Sequence, residues 1–393
     1  MSAALKGLRV LDFGQGIAGP YAAQMLGDHG ADVLKVEPPR GDWSRTMGAQ
    51  SQARASGSFL SVNRNKRGLC LDLARPAAIA IARQLAEQAD VLVESFRPGV
   101  MDRLGLGESA LREKNPKLIY CSVTGFGVDG PNAALPASDS IIQGWGGLMS
   151  INGARDGDPL RMGNVVADML AGMNAFAGVL LALRERDAGG PGRRVDIALL
   201  DSIVAFQAPP LTEYLITGAL PRRMGNDHPL TSPAGAFRAS DGLISLAVMD
   251  HKWPDFCAAV GIGPLLADPR FATGAARQHH RDALRAALDP LFAAHDSAHW
   301  LQVLRAADVL CGPIHDYASL REDPQVRHNA LLALDARGGA PVVRSAVRVQ
   351  GTPESYAPAP RLGEHTRAVL AAELGLDTAA IDRLVAEGAV RTA

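Results

Sequence analysis

Hydrophobic and polar positions along the first two hundred residues switch repeatedly between a strand-like and a helical period. Residues 8–13 (LRVLDF) form an apolar run of strand length, and residues 21–29 carry apolar side chains at helical spacing. Pro20 suits a first helical position and Gly30 closes that helix. Residues 32–36 (DVLKV) read as a second strand and 68–73 (GLCLDL) as a third. A helix from about 76 to 88, a strand at 91–94, a short helix near 107–114 and a strand at 118–123 follow. Such alternation predicts a parallel, doubly wound sheet covered by helices. Residues 184–194 (RERDAGGPGRR) are a turn-rich break before one more strand at 195–199.

Beyond residue 200 the pattern changes. A long helix is predicted over 200–217, interrupted at Pro209-Pro210, and 224–233 (MGNDHPLTSP) reads as a linker. Residues 237–248 place Asp241-Gly242 between two apolar arms, a hairpin signal, and helical patterns continue through Ala307. The tail, with Pro353, Pro358 and Pro360, is predicted extended and then helical from about 365 to 387. The expected fold class is α/β: a Rossmann-like large domain with a parallel sheet over 1–200, a linker at 201–235 and a smaller α+β domain at 236–325. Residues 326–393 are expected to return as a linker and a C-terminal helix packed on the large domain.

The 393 residues, 47% hydrophobic and 21% charged, have the composition of a soluble globular protein large enough for two domains. A net charge of −1 gives no electrostatic case for nucleic acid or an anionic membrane surface as a partner. The opening MSAALKGLRV lacks the long apolar core of a secretory signal. The most membrane-like stretch, 165–183, contains Asp168 and Asn174 and runs into Arg184-Glu185-Arg186-Asp187, so a core helix is expected there. Cys70, Cys121, Cys257 and Cys311 are scattered without a C-x-x-C, which predicts free thiols in a reducing cytoplasm and no metal site. His279-His280, beside Arg277 and Arg281, reads as a solvated helix face.

Candidate chemistry starts at the first strand's end. Gly14-Gln15-Gly16-Ile17-Ala18-Gly19 is a literal G-x-G-x-x-G, and Glu37 lies beyond the second strand. That arrangement suits a pyrophosphate at a helix N-terminus and an acid on a ribose, hence a nicotinamide- or flavin-dependent oxidoreductase as one reading. Asp168 sits where a loop meets the long apolar helix and leaves two readings open. It is either an N-cap or an ionised carboxylate facing a cleft, a usable nucleophile toward a thioester. Arg45, Asn65-Lys66-Arg67, Arg97 and Arg103 lie near predicted strand ends, where a doubly wound sheet collects its ligand. Several guanidiniums there suit a multiply phosphorylated nucleotide, with Phe96 against an adenine; each also reads as a surface arginine.

Residues 11–20 (LDFGQGIAGP) with 30–37 (GADVLKVE), Asn65-Lys66-Arg67 with Leu71-Asp72-Leu73, the 94–105 segment and 122–127 (SVTGFG) resemble the class III coenzyme A transferases. This is the superfamily of formyl-CoA transferase, carnitine-CoA transferase and α-methylacyl-CoA racemase. Residues 143–147, 311–314 (CGPI), 323–326 (DPQV) and 362–366 (LGEHT) extend the resemblance over nearly the whole chain. It implies that Asp168 is a catalytic aspartate forming acyl-aspartate intermediates. It also implies that Ile17, Ala18, Leu71, Asp72, Leu73, Ala74, Ser95, Phe96, Arg97, Arg103, Ala137, Ser138 and Asp139 line a coenzyme A site, and that the chain forms an intertwined homodimer.

There are departures. Ile17 stands where formyl-CoA transferase has a glutamine and Ser138 where it has a tyrosine, and no glycine-rich flap occurs around 231–237. These argue against oxalate or formate as the acceptor. Ala137-Ser138 also replaces the histidine expected of the racemases, and proton transfer at an α-carbon needs a base on each face. The expected function is therefore transfer of coenzyme A from an acyl-CoA to a small carboxylic acid, by analogy a short dicarboxylate, with coenzyme A as substrate and neither metal nor redox cofactor. A racemase, an oxidoreductase and a non-catalytic acyl-CoA-binding protein remain the alternatives.

Overall fold

The computed structural model describes residues 3–49, 55–337, 339–351 and 356–393; Met1, Ser2 and Pro353, used above, lie outside them. The main sheet contains β1 (Arg9–Asp12), β2 (Asp32–Glu37), β3 (Lys66–Leu71), β4 (Val91–Glu94), β5 (Ile119–Thr124), β6 (Arg194–Ala198) and a terminal strand, Val390–Arg391. Its order is terminal strand, β3, β2, β1, β4, β5, β6. All neighbours run parallel except the terminal strand, which pairs antiparallel with β3. The chain winds outward from β1 through β3, then returns to place β4 on β1's other side. That reversal opens a crevice at the carboxyl ends of β1 and β4.

The strands are apolar along their length because helices cover both faces. One face buries Leu11, Leu34, Leu69 and Leu92 against Ile81 and Leu85 of the helix Pro76–Glu87 and against Val369 and Leu370 of the tail. The predicted tail helix is two helices, Thr366–Leu374 and Thr378–Ala386, parted by Gly375 at φ 67°. The terminal strand was not anticipated, since two residues carry no readable period.

The other face carries the helices Ala18–Asp28 and Val166–Asp187. The latter is long and apolar enough to cross a membrane, yet it buries Ala167, Ala171, Gly172, Ala175 and Val179 within the fold, as a core helix does. Gly172 is what lets the two helices touch at backbone distance. A methyl group added there would lie 2.8 Å from the Ala18 carbonyl oxygen and 2.9 Å from the Tyr21 ring. Asp168, one turn earlier on the same stripe, is thereby carried to the loop that follows β1. The helix's outer face leaves Met173 and Leu181 exposed. The predicted 200–217 helix is likewise two, Leu199–Phe206 and Ala208–Thr217, and the second buries none of its residues.

Contacts divide the chain into two compact units, residues 1–148 with 161–219 and 327–393, and residues 149–160 with 220–326. The segment 149–160, which the sequence reading leaves in the N-terminal half, clusters with the second unit. That unit contains an antiparallel sheet of β7 (Ala234–Arg238), β8 (Leu243–Ala247) and β9 (Leu310–Pro313), with β8 central. The predicted hairpin is β7 and β8; the third strand is an addition. His279 is exposed and His280 half-buried, as a solvated face requires, whereas the guanidinium of the neighbouring Arg277 is buried 4.7 Å above the Trp253 ring and paired with Asp250.

Candidate active site

A cleft of about 420 Å³ opens where the doubly wound order predicts, at the carboxyl ends of β1, β4, β5 and β6. Gln15, Ile17 and Ala18 line it from the loop after β1, Arg40 and Trp43 from beyond β2, and Ser95, Phe96 and Arg97 from beyond β4. Ala137, Ser138, Asp139 and Asp168 complete it.

The first three amides of the glycine loop at its floor are already hydrogen-bonded within the protein. The Gly14 amide donates to Asp12 Oδ1 (2.8 Å), the Gln15 amide to Ser95 Oγ (2.9 Å) and the Gly16 amide to Asp42 Oδ1 (3.0 Å). Lys35, wholly buried, donates to the Gly14 carbonyl and to Asp42 Oδ2, both at 2.9 Å. Burial alone would raise the Asp42 carboxyl, but Lys35 and the Ser44 and Gly16 amides hold it below the ordinary aspartate range. Asp42 thus takes the Gly16 amide, one of those a dinucleotide fold would offer to a phosphate, and Pro20 offers no N–H. Gly16, at φ 78°, lies where any side chain would run into the Trp43 ring. Glu37 is equally committed. Arg45 grips both its oxygens at 2.7 Å, the Asp42 amide donates to it at 2.9 Å, and the carboxylate is 1% exposed. That leaves Glu37 no free oxygen for a ribose, and the first three amides of the fingerprint are taken by the protein's own side chains.

Asp168 is not the helix cap. It lies in the first turn of Val166–Asp187, whose N-cap residue is Val165, and its side chain makes no capping bond. The cap comes from across the fold: Asp139 Oδ1 accepts from the Ala167 amide at 2.8 Å. Asp139 begins the helix Asp139–Trp145, and its Oδ2 accepts from Gln143 Nε2 at 2.6 Å. Gln143, fully buried, also donates to the Asn164 carbonyl (3.1 Å) and accepts from the Met162 amide (2.8 Å), so it clasps the loop leading to Asp168. Asp168 itself is half-buried, accepts no hydrogen bond from a described residue and faces the cleft. Burial, and secondly the charge of Asp139, push its carboxyl up to about 7.

The basic residues sort by geometry. Arg97 and the unanticipated Arg40 line the cleft from different loops, and neither has a carboxylate partner among the described residues. Arg103 ends a short helix, Val100–Arg103, exposed and outside the cleft lining. Arg45 is spent on Glu37. Lys66 is buried against Asp12 (2.8 Å), and Arg67 is bidentate to Asp32 (2.8 and 2.7 Å) at the amino end of the sheet, away from the cleft. The Leu71 side chain is wholly buried in the core beside Val390, which leaves only its backbone for a ligand. Asp72, Leu73 and Ala74 form the turn after β3, and none lines the Asp168 cleft.

Sequence reasoning missed Arg40, Trp43, Gln143 and Glu94. The Asp139/Gln143 spacing of four on one helix was the available signal. Glu94, buried at the end of β4, accepts from the Phe96 amide (2.8 Å) and so steadies the Phe96–Arg97 wall. Burial pushes its carboxyl up to about 7.

Residues 5–366 match the model of CoA-transferase family III. The chain is 39% identical over 379 residues to a succinate–glutarate CoA-transferase of Agrobacterium fabrum, covering 93% of this chain and 95% of that protein. It is 37% identical to an acetyl-CoA:oxalate CoA-transferase of Acetobacter aceti, with coverage of 92% and 94%. A crystal structure of a CaiB/BaiF family protein from Brucella suis superposes with a TM-score of 0.88 at 34% identity, covering 95% of this chain and all of that one.

Proposed function

The chain belongs to CoA-transferase family III, and from that premise we propose that it moves coenzyme A from an acyl-CoA to a small dicarboxylic acid, with Asp168 as the covalent nucleophile. The observation that carries this is a carboxylate with no hydrogen-bond donor among the described residues and a raised proton affinity, facing a cleft at the carboxyl ends of the parallel strands.

An Asp168 oxygen attacks the donor thioester carbon, the carbon–sulfur bond breaks, and the electron pair leaves on sulfur. The products are an acyl-aspartyl anhydride and the coenzyme A thiolate. The thiolate then attacks the Asp168 carbonyl carbon, expels the donor carboxylate and leaves an aspartyl-CoA thioester. The acceptor carboxylate displaces the thiolate to form a second anhydride, and attack of the thiolate on the acceptor's carbonyl frees Asp168. No carbon changes oxidation state, so these steps need no redox cofactor. Arg40 and Arg97, uncommitted at the cleft, suit the phosphates of coenzyme A.

Racemisation would need a second free base opposite Asp168. The cleft lining holds no histidine, and both oxygens of Asp139 are taken by Ala167 and Gln143. The relatives named for succinate, glutarate and oxalate favour short dicarboxylates as donor and acceptor acids. Purified protein with succinyl-CoA and a panel of acids, followed by mass spectrometry, is expected to yield glutaryl-CoA from glutarate. Binding of coenzyme A without transfer to any acid would support the non-catalytic alternative. In the same preparation coenzyme A at about a hundred times its dissociation constant should add roughly 2.7 kcal/mol of stability while NAD adds none.

We further propose that the working unit is a homodimer. The helix Ala208–Thr217 leaves Leu215 and Ile216 more than 70% exposed, on a helix with no buried face of its own. A second copy of the chain supplies the missing apolar neighbour. Light scattering should show a dimer for the wild type and a monomer for Ile216→Asp; a monomeric wild type would refute this assembly.

A further inference from the structure

Asp139 lies in the cleft wall, and each of its two oxygens is already engaged by the protein. Both accept hydrogen bonds from the protein, one from the Ala167 amide at 2.8 Å and one from Gln143 Nε2 at 2.6 Å. Ala167 is the residue before Asp168, so Asp139 anchors the helical turn that carries the nucleophile. Gln143 extends the anchor through Met162 and Asn164 into the preceding loop. We propose that Asp139 is a positioning residue for Asp168, tethering its turn and, by its own negative charge, pushing charge off the Asp168 carboxylate as the acyl anhydride forms.

The inference rests on Asp168 being the nucleophile and adds a reason for its reactivity. In the first step Asp168 gains a bond to the acyl carbon, and the electron pair of the broken carbon–sulfur bond departs on the coenzyme A sulfur. Negative charge thereby moves from a place beside Asp139 to the thiolate. A fixed like charge raises the energy of the ionised ground state but not of the neutral anhydride, which is differential stabilisation in the productive direction. The same charge, after burial, raises the proton affinity of Asp168. The other charged groups lining the cleft are Arg40 and Arg97. Tyr21, Ile17 and Ala18 of the crossing helix segment and Leu199 beyond β6 bring only a phenol and apolar groups.

The test is the pH dependence of kcat/KM. The wild-type acid limb is expected near pH 7, where the Asp168 carboxyl lies; a limb in the ordinary aspartate range would overturn the proposal without any variant. Asp139→Asn keeps an oxygen for the Ala167 amide and Asp139→Ser shortens the side chain by a bond, and both remove the charge. Each should move the acid limb down by about one unit and reduce the fraction of enzyme recovered as a covalent adduct during turnover. Asp139→Glu keeps the charge and disturbs the tether, so it should lower the plateau with the limb in place. Neutral variants that lower the plateau and leave the limb unmoved would make Asp139 a tether only, against the proposal. Full activity in Asp168→Asn would instead remove the nucleophile reading itself, so the two failures are told apart.

Discussion

Asp168→Asn is expected to abolish coenzyme A transfer, by about a thousandfold or more, without loosening the fold or weakening coenzyme A binding appreciably. An amide cannot form the anhydride, while no hydrogen bond among the described residues depends on the Asp168 side chain, the helix cap being Asp139. The stability control has a definite sign. The carboxyl titrates at about 7 in the folded protein against an ordinary aspartate value of 3.8 in the unfolded chain. The group therefore favours folding fully when protonated, below the unfolded value, and that contribution is lost as pH rises through about 7. Above pH 7 the ionised aspartate burdens the fold and asparagine does not. The variant should therefore melt no lower than wild type at pH 8, the usual trade between stability and activity at a reactive site. A variant that retains transfer, with deamidation excluded by mass, would remove the mechanism; one that melts far lower would show that Asp168 holds the fold after all.

The double variant Arg40→Ala/Arg97→Ala should weaken coenzyme A binding by roughly a hundredfold or more. Each lost charge-assisted hydrogen bond to a phosphate is worth about 1.5–3 kcal/mol, or ten- to a hundredfold, and the two guanidiniums belong to different walls of the cleft. The side chains are exposed and pair with no carboxylate among the described residues, so their loss should leave the thermal midpoint of the free protein nearly unchanged. Arg103→Ala is the internal comparison. It stands outside the cleft lining and should cost little unless the nucleotide end of coenzyme A runs past the short helix it ends. Isothermal titration of the three proteins with coenzyme A decides. Unchanged affinity in the double variant together with a large loss in Arg103→Ala would move the phosphates out of the Asp168 cleft toward that helix.

Much of this was legible along the chain. Parallel strands buried on both faces leave continuous apolar runs, so β1, β2 and β4 are found within a residue or two, and the doubly wound order then locates the cleft. β3 was misplaced by two residues because it starts at Lys66, a buried charge that only Asp12, far off in sequence, makes tolerable. The same long-range pairing explains the misleading fingerprint. Its glycines are real, but the acceptors that fill its amides are Asp42, beyond the next strand, and Ser95, after β4, and no local pattern ties either to the loop. Asp168, singled out on its position before the apolar helix, lines the cleft, whereas the capping bond belongs to Asp139, twenty-eight positions from the Ala167 amide it accepts from. Spacing within one helix shows what shares a face; it does not show which carboxylate crosses the fold to meet which amide. Arg97 and Arg103 looked alike in sequence for that reason, and Arg40 was invisible until the loop after β2 was seen to turn into the cleft.

The central claim is that coenzyme A passes through a covalent bond to Asp168. Protein mixed with succinyl-CoA, quenched during turnover and digested, is to be mapped by mass spectrometry, with borohydride added to one portion and hydroxylamine to another. The account predicts coenzyme A attached to the peptide containing Asp168, that residue reduced by borohydride and converted to a hydroxamate by hydroxylamine, and no modification in Asp168→Asn. An active enzyme whose Asp168 peptide stays unmodified throughout turnover, or whose adduct maps to another carboxylate, would contradict it.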